Sequence, residues 1–543
     1  MNKKILFLIS ALLLSNIIFG QEALKSVEEE YYDFLSLQGL VERPTLGYRT
    51  LSDSVWEPEE DVDHIWQGNN LGKTNILWEA DNKSENWFSN GIFHGVKYKL
   101  YGPEWFNSYN TDVPYGQNDG ALWQGVGYNT SLTGGVRFEG FGFEATFKPQ
   151  LTWSQNKEFE YLPGVYGDPH SYFWAGNIDL VQRFGDTSYW QFDFGDSELR
   201  YSFYNFTVGF GTQSPWIGPA QLNPMLGSNN AGAYPKFDFG LRKTDVIIPG
   251  LGWNLGKIES RIWIGQLTES DYFNNDGIKD INLIDGFNIS FSPSFFPEMT
   301  VGATKICLTR WGNNFWKYIN PFYDENDITG IGEDQKASVY FDFLFPLHQF
   351  EIYLEIGVDD YNYNRYTNIL HTIIYSLGCK KNFNLFENLG IELFCEINIF
   401  EMSQDFQLQW NYMGYFSHGQ ISEGYTQNGQ IIGAGSGFFG NSQIYGVKIS
   451  HNKGYTNLYL HRNSPEVNYI YNFAVNDTAV NSNVHYATAQ TFYNIGIDNS
   501  IFITKDMICS LNFVYSIIHC KFFQDVRSLE KNINFSCSLK YNF

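Results

Sequence analysis

The C-terminal segment, KNINFSCSLKYNF, alternates between two classes of side chain without a break up to Phe543. The apolar class consists of Ile533, Phe535, Cys537, Leu539, Tyr541 and Phe543, and the polar class of Asn532, Asn534, Ser536, Ser538, Lys540 and Asn542. Because successive side chains of a β-strand point to opposite faces, the segment predicts a strand with one apolar and one polar face. A strand between lipid and an aqueous lumen has this pattern, and a terminal Phe is typical of outer-membrane β-barrels.

Similar alternation recurs upstream in residues 350–358, 391–399 and 509–517. The polar face of the first two segments carries carboxylates, namely Glu351, Glu355, Glu392 and Glu396. A soluble β-sandwich also alternates, but it seldom combines long aromatic strands with carboxylates on the inner face. Aromatic residues make up 18% of the chain, which fits the aromatic girdles of membrane barrels. We therefore predict an all-β fold, a transmembrane antiparallel β-barrel.

Connections between the predicted strands are alternately short and long. Short links fall at residues 346–349, 451–454 and 505–506, and long ones at residues 268–285, 310–336 and 403–441. Outer-membrane barrels have short periplasmic turns and long outer loops, so this pattern orients the barrel. Counting back from Phe543 gives about 18 strands, an even number as expected. The first lies near residues 92–101, and the barrel takes up residues 91–543; residues 142–197 alternate too little for strand boundaries to be assigned.

The N-terminus carries an export signal. Residues 1–20 contain two lysines followed by an apolar run and a small residue, which predicts a secretory signal peptide. Residues 21–90 are predicted to form a short N-terminal helical periplasmic segment, because apolar residues recur near helical spacing before Gly39: Leu24, Val27, Tyr31 and Phe34. Export and a barrel together predict the outer membrane of a Gram-negative bacterium, with its lipid and lipopolysaccharide as surroundings. A closed barrel has no free sheet edge, so we expect a monomer.

Charge and motifs exclude several function classes. The formal net charge of −24 argues against nucleic acid as a partner, since nucleic-acid binding calls for clustered Lys and Arg. The six cysteines show no CxxC spacing, and the ten histidines form no HExxH motif, so no metal centre is predicted. Residues 435–440 match GxGxxG, but a predicted strand follows where a dinucleotide site needs a helix. No cofactor is expected, with calcium left open for acidic loops.

Two predicted outer loops combine aromatic rings with amides or carboxylates, a chemistry that stacks on sugar faces and bonds to sugar hydroxyls. Residues 211–235 offer Gln213, Trp216, Asn229, Asn230 and Tyr234. Residues 310–336 offer Trp311 and Trp316 beside acidic residues that could also hold calcium, namely Asp324, Glu325 and Asp327. Each loop has a structural alternative: the first could fold inward as a pore constriction shaped by its glycines and prolines, and the second could be a solvated acidic loop.

Three parts of the sequence resemble the Wzi-type capsule assembly proteins. PWIGPAQLNPMLGSNNAGAYP, residues 215–235, is similar to the W-G-P … L-x-x-S-N-N-A … P pattern of that family, although Ile217 separates Trp216 from Gly218. NDGALWQGVGYNTSLTGGVRF, residues 118–138, and YYDFLSLQGLV followed by RPTLGYR, residues 31–49, are similar to two further blocks. The resemblance implies a barrel closed on the periplasmic side by N-terminal helices. It also implies a lectin that holds exported capsular polysaccharide on the cell surface.

The leading hypothesis is therefore a non-enzymatic surface lectin that attaches or organises capsular polysaccharide or exopolysaccharide. The alternative is an outer-membrane porin or channel for small solutes or oligosaccharides. A third hypothesis is a hydrolase in which Glu392 and Glu396 act as acid and base, since paired carboxylates cleave glycosidic bonds. Carboxylates on a barrel wall more often line an aqueous lumen, so no catalytic residue is predicted.

Overall fold

The structure of the chain is a computed structural model. It describes residues 20–21, 25–58, 63–71, 75–76, 95–173, 176–312, 333–359, 368, 370–386, 388–410, 413–467, 488–523 and 527–543. Most of the predicted signal peptide lies outside the described residues, and so does Trp316.

The main sheet is an antiparallel barrel of 18 strands. Its first nine strands are β1 (Lys97–Asn110), β2 (Gly127–Gly140), β3 (Phe143–Phe147 and Gln150–Ser154), β4 (Tyr189–Asp193 and Glu198–Phe203), β5 (Phe206–Gly211), β6 (Lys236–Ile247), β7 (Asn254–Thr268), β8 (Ile281–Pro293) and β9 (Met299–Arg310). The other nine are β10 (Glu333–Phe345), β11 (Phe350–Asp359), β12 (Ile373–Phe386), β13 (Leu389–Ile399), β14 (Asn441–His451), β15 (Gly454–Ser464), β16 (Thr491–Thr504), β17 (Met507–His519) and β18 (Leu529–Tyr541).

Each strand pairs with its neighbour in sequence, and the last strand closes the barrel on the first. Asn534 lies opposite Asn110 and Lys540 lies opposite Glu104 in the β18–β1 ladder. Two-residue links follow β2, β4, β12, β14 and β16, whereas residues 155–188, 212–235 and 400–440 form long connections at the other end. The predicted fold class and the alternation of short and long links are confirmed.

The strands present an apolar surface outward and a polar surface to the lumen. In β18, Phe535 is 47% exposed while Ser536 is 9% exposed, as the sequence pattern predicts. Exposed aromatic side chains gather at the short turns, as in a membrane-interface girdle: Phe141, Tyr204, Trp253, Phe295 and Phe386. This outer surface fits a lipid bilayer, and the barrel is an outer-membrane barrel with the short turns on the periplasmic side.

Irregular backbone accounts for the weak sequence pattern of residues 142–197. β3 is interrupted between Phe147 and Gln150, where Pro149 has no N–H to donate to a ladder. β4 is interrupted between Asp193 and Glu198, next to Gly195 at φ +56°. The first barrel strand begins at Lys97 and not near residue 92 as predicted.

A helix, α1 (Val27–Leu37), forms where the sequence predicts one. Its N-terminus is capped by Ser26, whose hydroxyl accepts a hydrogen bond from the N–H of Glu29 at 3.2 Å. After its last residue, Leu37, Gly39 adopts φ +74°. The N–H of Leu40 donates to the carbonyl of Leu35, as in a Schellman motif. No helix in the described part of the chain is long and apolar enough to cross a membrane.

Helix α1 lies within the periplasmic end of the lumen and is held there by ion pairs with the barrel wall. Three acidic residues of the helix face three lysines on different strands: Glu28 pairs with Lys540, Glu30 with Lys448 and Asp33 with Lys380. The following chain adds Arg43, which reaches Glu351 through two hydrogen bonds of 2.8 Å. We call residues 25–58 the N-terminal plug.

A second set of charges fixes the C-terminal part of this plug. Asp53 lies between Arg242 and Arg261, at 2.7 and 2.9 Å. These arginines belong to a largely buried network between wall and plug in which four guanidinium groups face five carboxylates, namely Arg137, Arg200, Arg242, Arg261, Asp53, Glu139, Glu144, Glu198 and Asp238. Each arginine contacts two of these carboxylates, which offsets the charge of its buried guanidinium group.

The outer half of the lumen contains a hydrophobic core built from long loops. Loops 155–188, 212–235 and 400–440 contribute most of it, and they pack on wall residues such as Trp263 and Ile306. The loop residues include Ile178, Ile217, Met225, Leu226, Tyr234, Tyr415, Phe416, Tyr425, Ile431 and Phe439. Within the described part of the chain, loops and plug therefore fill much of the lumen.

We expect Arg43→Met to loosen the N-terminal plug. The substitution removes the ion-pair partner of the buried carboxylate of Asp342 and leaves Glu351 paired only with Lys380, at 3.2 Å, at a cost on the order of 3 kcal/mol. Hydrogen exchange of amides 27–49 should quicken while the barrel keeps its native mobility on gels. Lys257→Met is the matched control, because Lys257 pairs with Glu42, whose side chain is 65% exposed, and should cost less than about 1 kcal/mol. Equal exchange in both variants would contradict the anchoring role of Arg43.

The plug is also expected to loosen in acid. Burial by itself raises the pKa of Glu30, but Lys448 and Lys25 outweigh it and lower the pKa from 4.5 to about 2. A lowered pKa stabilises the folded state above the unfolded value, and the stabilisation is lost as pH falls through the folded value. Pepsin should therefore begin to cut within α1 between pH 4.5 and 2, and in Glu30→Gln it should cut already near pH 4. Pepsin resistance of wild type throughout that range would refute this expectation.

Candidate functional site

The described part of the lumen contains an outer and an inner cavity. The outer cavity, of about 700 Å³, runs from α1 to the long loops and is lined at its outer end by loop residues including Trp123, Tyr161 and Phe522. The inner cavity, of about 1110 Å³, lies among the plug and the short turns. Asp33, Arg49 and Gln221 line both cavities, which places them at the boundary.

The loop of residues 212–235 forms much of that boundary. It connects β5 to β6, as predicted, and then descends through the lumen until Trp216–Ile217 pairs with Tyr48–Arg49 of the plug. The N–H of Gly218 donates to the carbonyl of Gly47 at 2.9 Å. Of the two interpretations of this loop, the inward-folded constriction is the one that its geometry supports.

The backbone path of this loop requires glycine at position 218. Its φ of +83° is rarely adopted by other residues, and a Cβ at this position would lie 2.9 Å from a carboxylate oxygen of Glu355. Beyond it, Glu396 accepts hydrogen bonds from the backbone N–H groups of Gln221, Leu222 and Asn223, at 2.6, 3.0 and 2.9 Å. A carboxylate so occupied holds the loop in place, which argues against the acid–base role considered for Glu392 and Glu396.

Three of the predicted sugar-contacting residues are buried in the lumen. Trp216 is 2% exposed, and its indole N–H donates to the carbonyl of Ala220 at 2.8 Å. Gln213 is fully buried and accepts from the N–H of Ser52 at 3.0 Å, while Tyr234 lies in the hydrophobic core. Stacking on a sugar needs an open ring face, so the burial of these side chains does not fit direct contact with a polysaccharide.

Asn229 and Asn230 connect two loops. The carbonyl of Asn229 accepts from the N–H of Gly120 at 2.7 Å, and the side-chain amide of Asn230 donates to the carbonyl of Ile431 at 2.9 Å. Both residues are half-buried, and Asn230 lines the outer cavity. Trp311 lies elsewhere, just after β9, and is 50% exposed.

The sequence blocks that carry the family resemblance meet one another around the boundary. Asn118, from the second block, donates from its side chain to the carbonyl of Leu222 in the first block at 2.9 Å. Tyr48, from the N-terminal block, lies opposite Ile217, and Ile217 is fully buried in the hydrophobic core. The blocks therefore contact one another inside the lumen, and Ile217 is accommodated by packing in the hydrophobic core.

The outer cavity contains functional candidates that sequence reasoning did not select. Half-buried aromatic side chains line it together with amides and carboxylates, namely Tyr115, Trp123, Phe159, Tyr161, Gln117, Gln182, Asp119 and Asp498. Trp123 packs on Phe184 with ring centroids 5.1 Å apart, and Tyr161 stacks on His170 at 6.2 Å. Trp123 falls inside the second resemblance block, which was the available signal; Phe159 and Tyr161 lie in the unpatterned stretch.

One carboxyl in this cavity has an altered acidity. Burial raises the pKa of Asp119 from 3.8 to about 7, against a smaller lowering by a hydrogen bond from the side chain of Gln124 at 2.6 Å. Asp119 can therefore donate as well as accept a hydrogen bond near neutral pH. Flat rings, amides and such a carboxyl together suit a polyhydroxylated ligand, and a volume of about 700 Å³ is typical of small-ligand sites.

Comparison with known proteins gives a likeness in structure only. No protein-family model matches the chain, and no curated protein matches it. Among solved structures, it is similar to Escherichia coli Wzi, described as an outer-membrane protein involved in group 1 capsule assembly and a carbohydrate-binding β-barrel. The identity is 13% and the TM-score 0.57, over 97% of this chain and 100% of Wzi.

Two porin structures are more distant. Pseudomonas putida OprB has 9% identity and a TM-score of 0.37, over 82% of this chain and 94% of its own. Acinetobacter baumannii OccAB4 has 8% identity and a TM-score of 0.41, over 82% of this chain and 98% of its own. The comparison with Wzi, at a TM-score of 0.57, shows that the chain shares the overall barrel fold of Wzi.

We expect Trp216→Ala to act on stability and closure. Removing a buried Trp leaves a hole beside Lys25 and Arg49, whose charges lie 5.6 and 5.8 Å from the ring centre, at a cost of about 3–5 kcal/mol. The unfolding temperature should fall, and ion conductance in planar bilayers should rise. Trp311→Ala is the exposed control and should change stability by less than about 0.5 kcal/mol. An unchanged unfolding temperature in Trp216→Ala would show that the ring is not part of the constriction.

Proposed function

We propose that this protein is a non-enzymatic outer-membrane lectin of the Wzi type, which attaches capsular polysaccharide or exopolysaccharide to the cell surface. The outer cavity receives part of the glycan. The observation that carries the proposal is a cavity lined by aromatic rings, amides and carboxylates, which faces the long loops and ends on the N-terminal plug.

The closed end of the cavity is what favours a lectin over a channel. A porin needs a path through the lumen, whereas here α1, the descending loop and the hydrophobic core fill it. A glycan that enters from outside meets Glu29 and Asp33 of the plug at the inner end of the cavity. Such an arrangement retains a polymer at the surface and does not pass it on.

Two further observations support the proposal. The barrel shares the overall fold of Wzi, a carbohydrate-binding barrel, and the resemblance blocks of the sequence meet at the closure of the lumen. The wall carboxylate Glu396, which a hydrolase would need free, instead binds three backbone N–H groups. Binding through aromatic and amide groups requires no cofactor and no catalytic residue.

The test is the division of surface polysaccharide between cell-bound and shed fractions. In a strain that lacks the protein, total polysaccharide should be unchanged while most of it moves to the medium. A triple variant, Trp123→Ala with Phe159→Ala and Tyr161→Ala, should reproduce this shift because it removes the stacking surfaces at the outer part of the cavity. Gel mobility of the unheated protein would verify that the variant barrel is folded.

Trp311→Ala is the matched control, because it removes an exposed ring outside the cavity. Retention should be normal in this variant. If Trp311→Ala sheds polysaccharide and the triple variant retains it, the binding surface is on the outer loops and not in the cavity. If the deletion strain retains its polysaccharide, the lectin function is refuted, and steady conductance of the purified barrel would then support a channel.

A further inference from the structure

Three carboxylates from two outer loops converge near the outer end of β7, β8 and β9. Glu269 follows β7 directly, Asp280 precedes β8, and Glu423 belongs to the loop between β13 and β14. One oxygen from each of the three side chains lies within 4.8 Å of the other two. The backbone fixes this arrangement, since the N–H of Glu269 donates to the carbonyl of Asp280 at 3.1 Å.

The most buried member of the group lacks a partner. Glu269 is 4% exposed, and its Oε2 atom is buried without a hydrogen-bond donor within the described part of the chain. An unpaired carboxylate in such a place costs free energy unless it takes up a proton or a cation.

Arg310 neutralises only part of this charge. Its guanidinium lies 2.7 Å from Glu423 and 3.0 Å from Asp280, and the side-chain amide of Asn282 donates to the other oxygen of Glu423 at 2.9 Å. Asp179 adds a further carboxylate to the surroundings. Arg310 thus pairs with Asp280 and Glu423, whereas Glu269 forms no ion pair with any described residue.

We propose that Glu269, Asp280 and Glu423 bind a calcium ion that ties the loop of residues 269–280 to the loop of residues 400–440. Three carboxylate oxygens are the ligands that calcium prefers, and water can complete its six to eight positions. Magnesium demands a smaller, near-octahedral arrangement, and transition metals favour nitrogen or sulfur ligands, which none of the three residues supplies.

Such an ion would stabilise the two loops where they pack on the hydrophobic core. Leu267, just before Glu269, and Ile421 and Tyr425, on either side of Glu423, all belong to that core. Bridging the two loops therefore joins the barrel wall to the material that fills the outer lumen. The site is separate from the outer cavity, so its test does not depend on the proposed function.

The experiment uses the full chain in detergent, stripped of ions with a chelator. Calorimetric titration with calcium chloride should show one site per chain, with a dissociation constant of about 10⁻⁴ M or below, and calcium should raise the unfolding temperature more than magnesium does. Glu269→Gln should bind calcium at least about tenfold more weakly, and Asp280→Asn should do the same as a second variant. Asp271→Asn is the matched control, because it removes the same charge from the same loop at a residue that pairs with Lys279.

Comparing the unfolding temperatures of wild type and Glu269→Gln with and without calcium separates ion binding from a purely structural role of Glu269. Without calcium, Glu269→Gln should be as stable as wild type or more stable, because a like charge has been removed. With calcium, wild type should be the more stable of the two. Absence of calcium binding by wild type, or equal weakening in Glu269→Gln and Asp271→Asn, would overturn the proposal and leave protons and Arg310 as the neutralising groups.

Discussion

The pairing of charges between the barrel wall and the N-terminal plug is the interaction on which the rest of this structure depends. Lys380, Lys448 and Lys540 point from three strands into a lumen that holds the plug, where a partly buried and unpaired ammonium group is costly. Acidic residues of α1 supply the partners. If the plug left the lumen, its carboxylates would lose their lysine partners and the lysines would be left unpaired. Wall and plug therefore stabilise one another.

Wall carboxylates also explain how a Gly- and Pro-rich loop can lie inside a barrel. Buried backbone groups must be hydrogen-bonded, and a loop without secondary structure cannot satisfy them alone. The wall provides acceptors: Glu259 binds the N–H groups of Leu46 and Gly47, and Glu396 does the same for residues 221–223. Inner-face glutamates, which on sequence alone could be catalytic or simply solvated, serve as anchors for irregular backbone.

The strands were predictable and the contents of the lumen were not. Period-2 alternation identifies β11, β13, β17 and β18 because lipid and lumen impose opposite demands on neighbouring residues. Nothing periodic marks a buried loop. Trp216 and Tyr234 were selected as sugar contacts because aromatic rings among amides suit both a glycan and a core, and only the long-range contacts with Arg49 and Trp263 separate the two. The contact of Asn118 with Leu222 is likewise invisible to local pattern.

A plug at the periplasmic end of the lumen affects how the outer cavity can bind a ligand. An open barrel must balance binding against passage, because a ligand held too firmly in the pore blocks it. Under the proposed lectin function, a lumen filled by α1 and the descending loop is free of that requirement, so rings such as Trp123 and Tyr161 can line a cavity for affinity alone. Under the proposed lectin function, the ion pairs of α1 and the aromatic cavity act together: the ion pairs hold the plug in the lumen, and the filled lumen leaves the outer cavity free to bind.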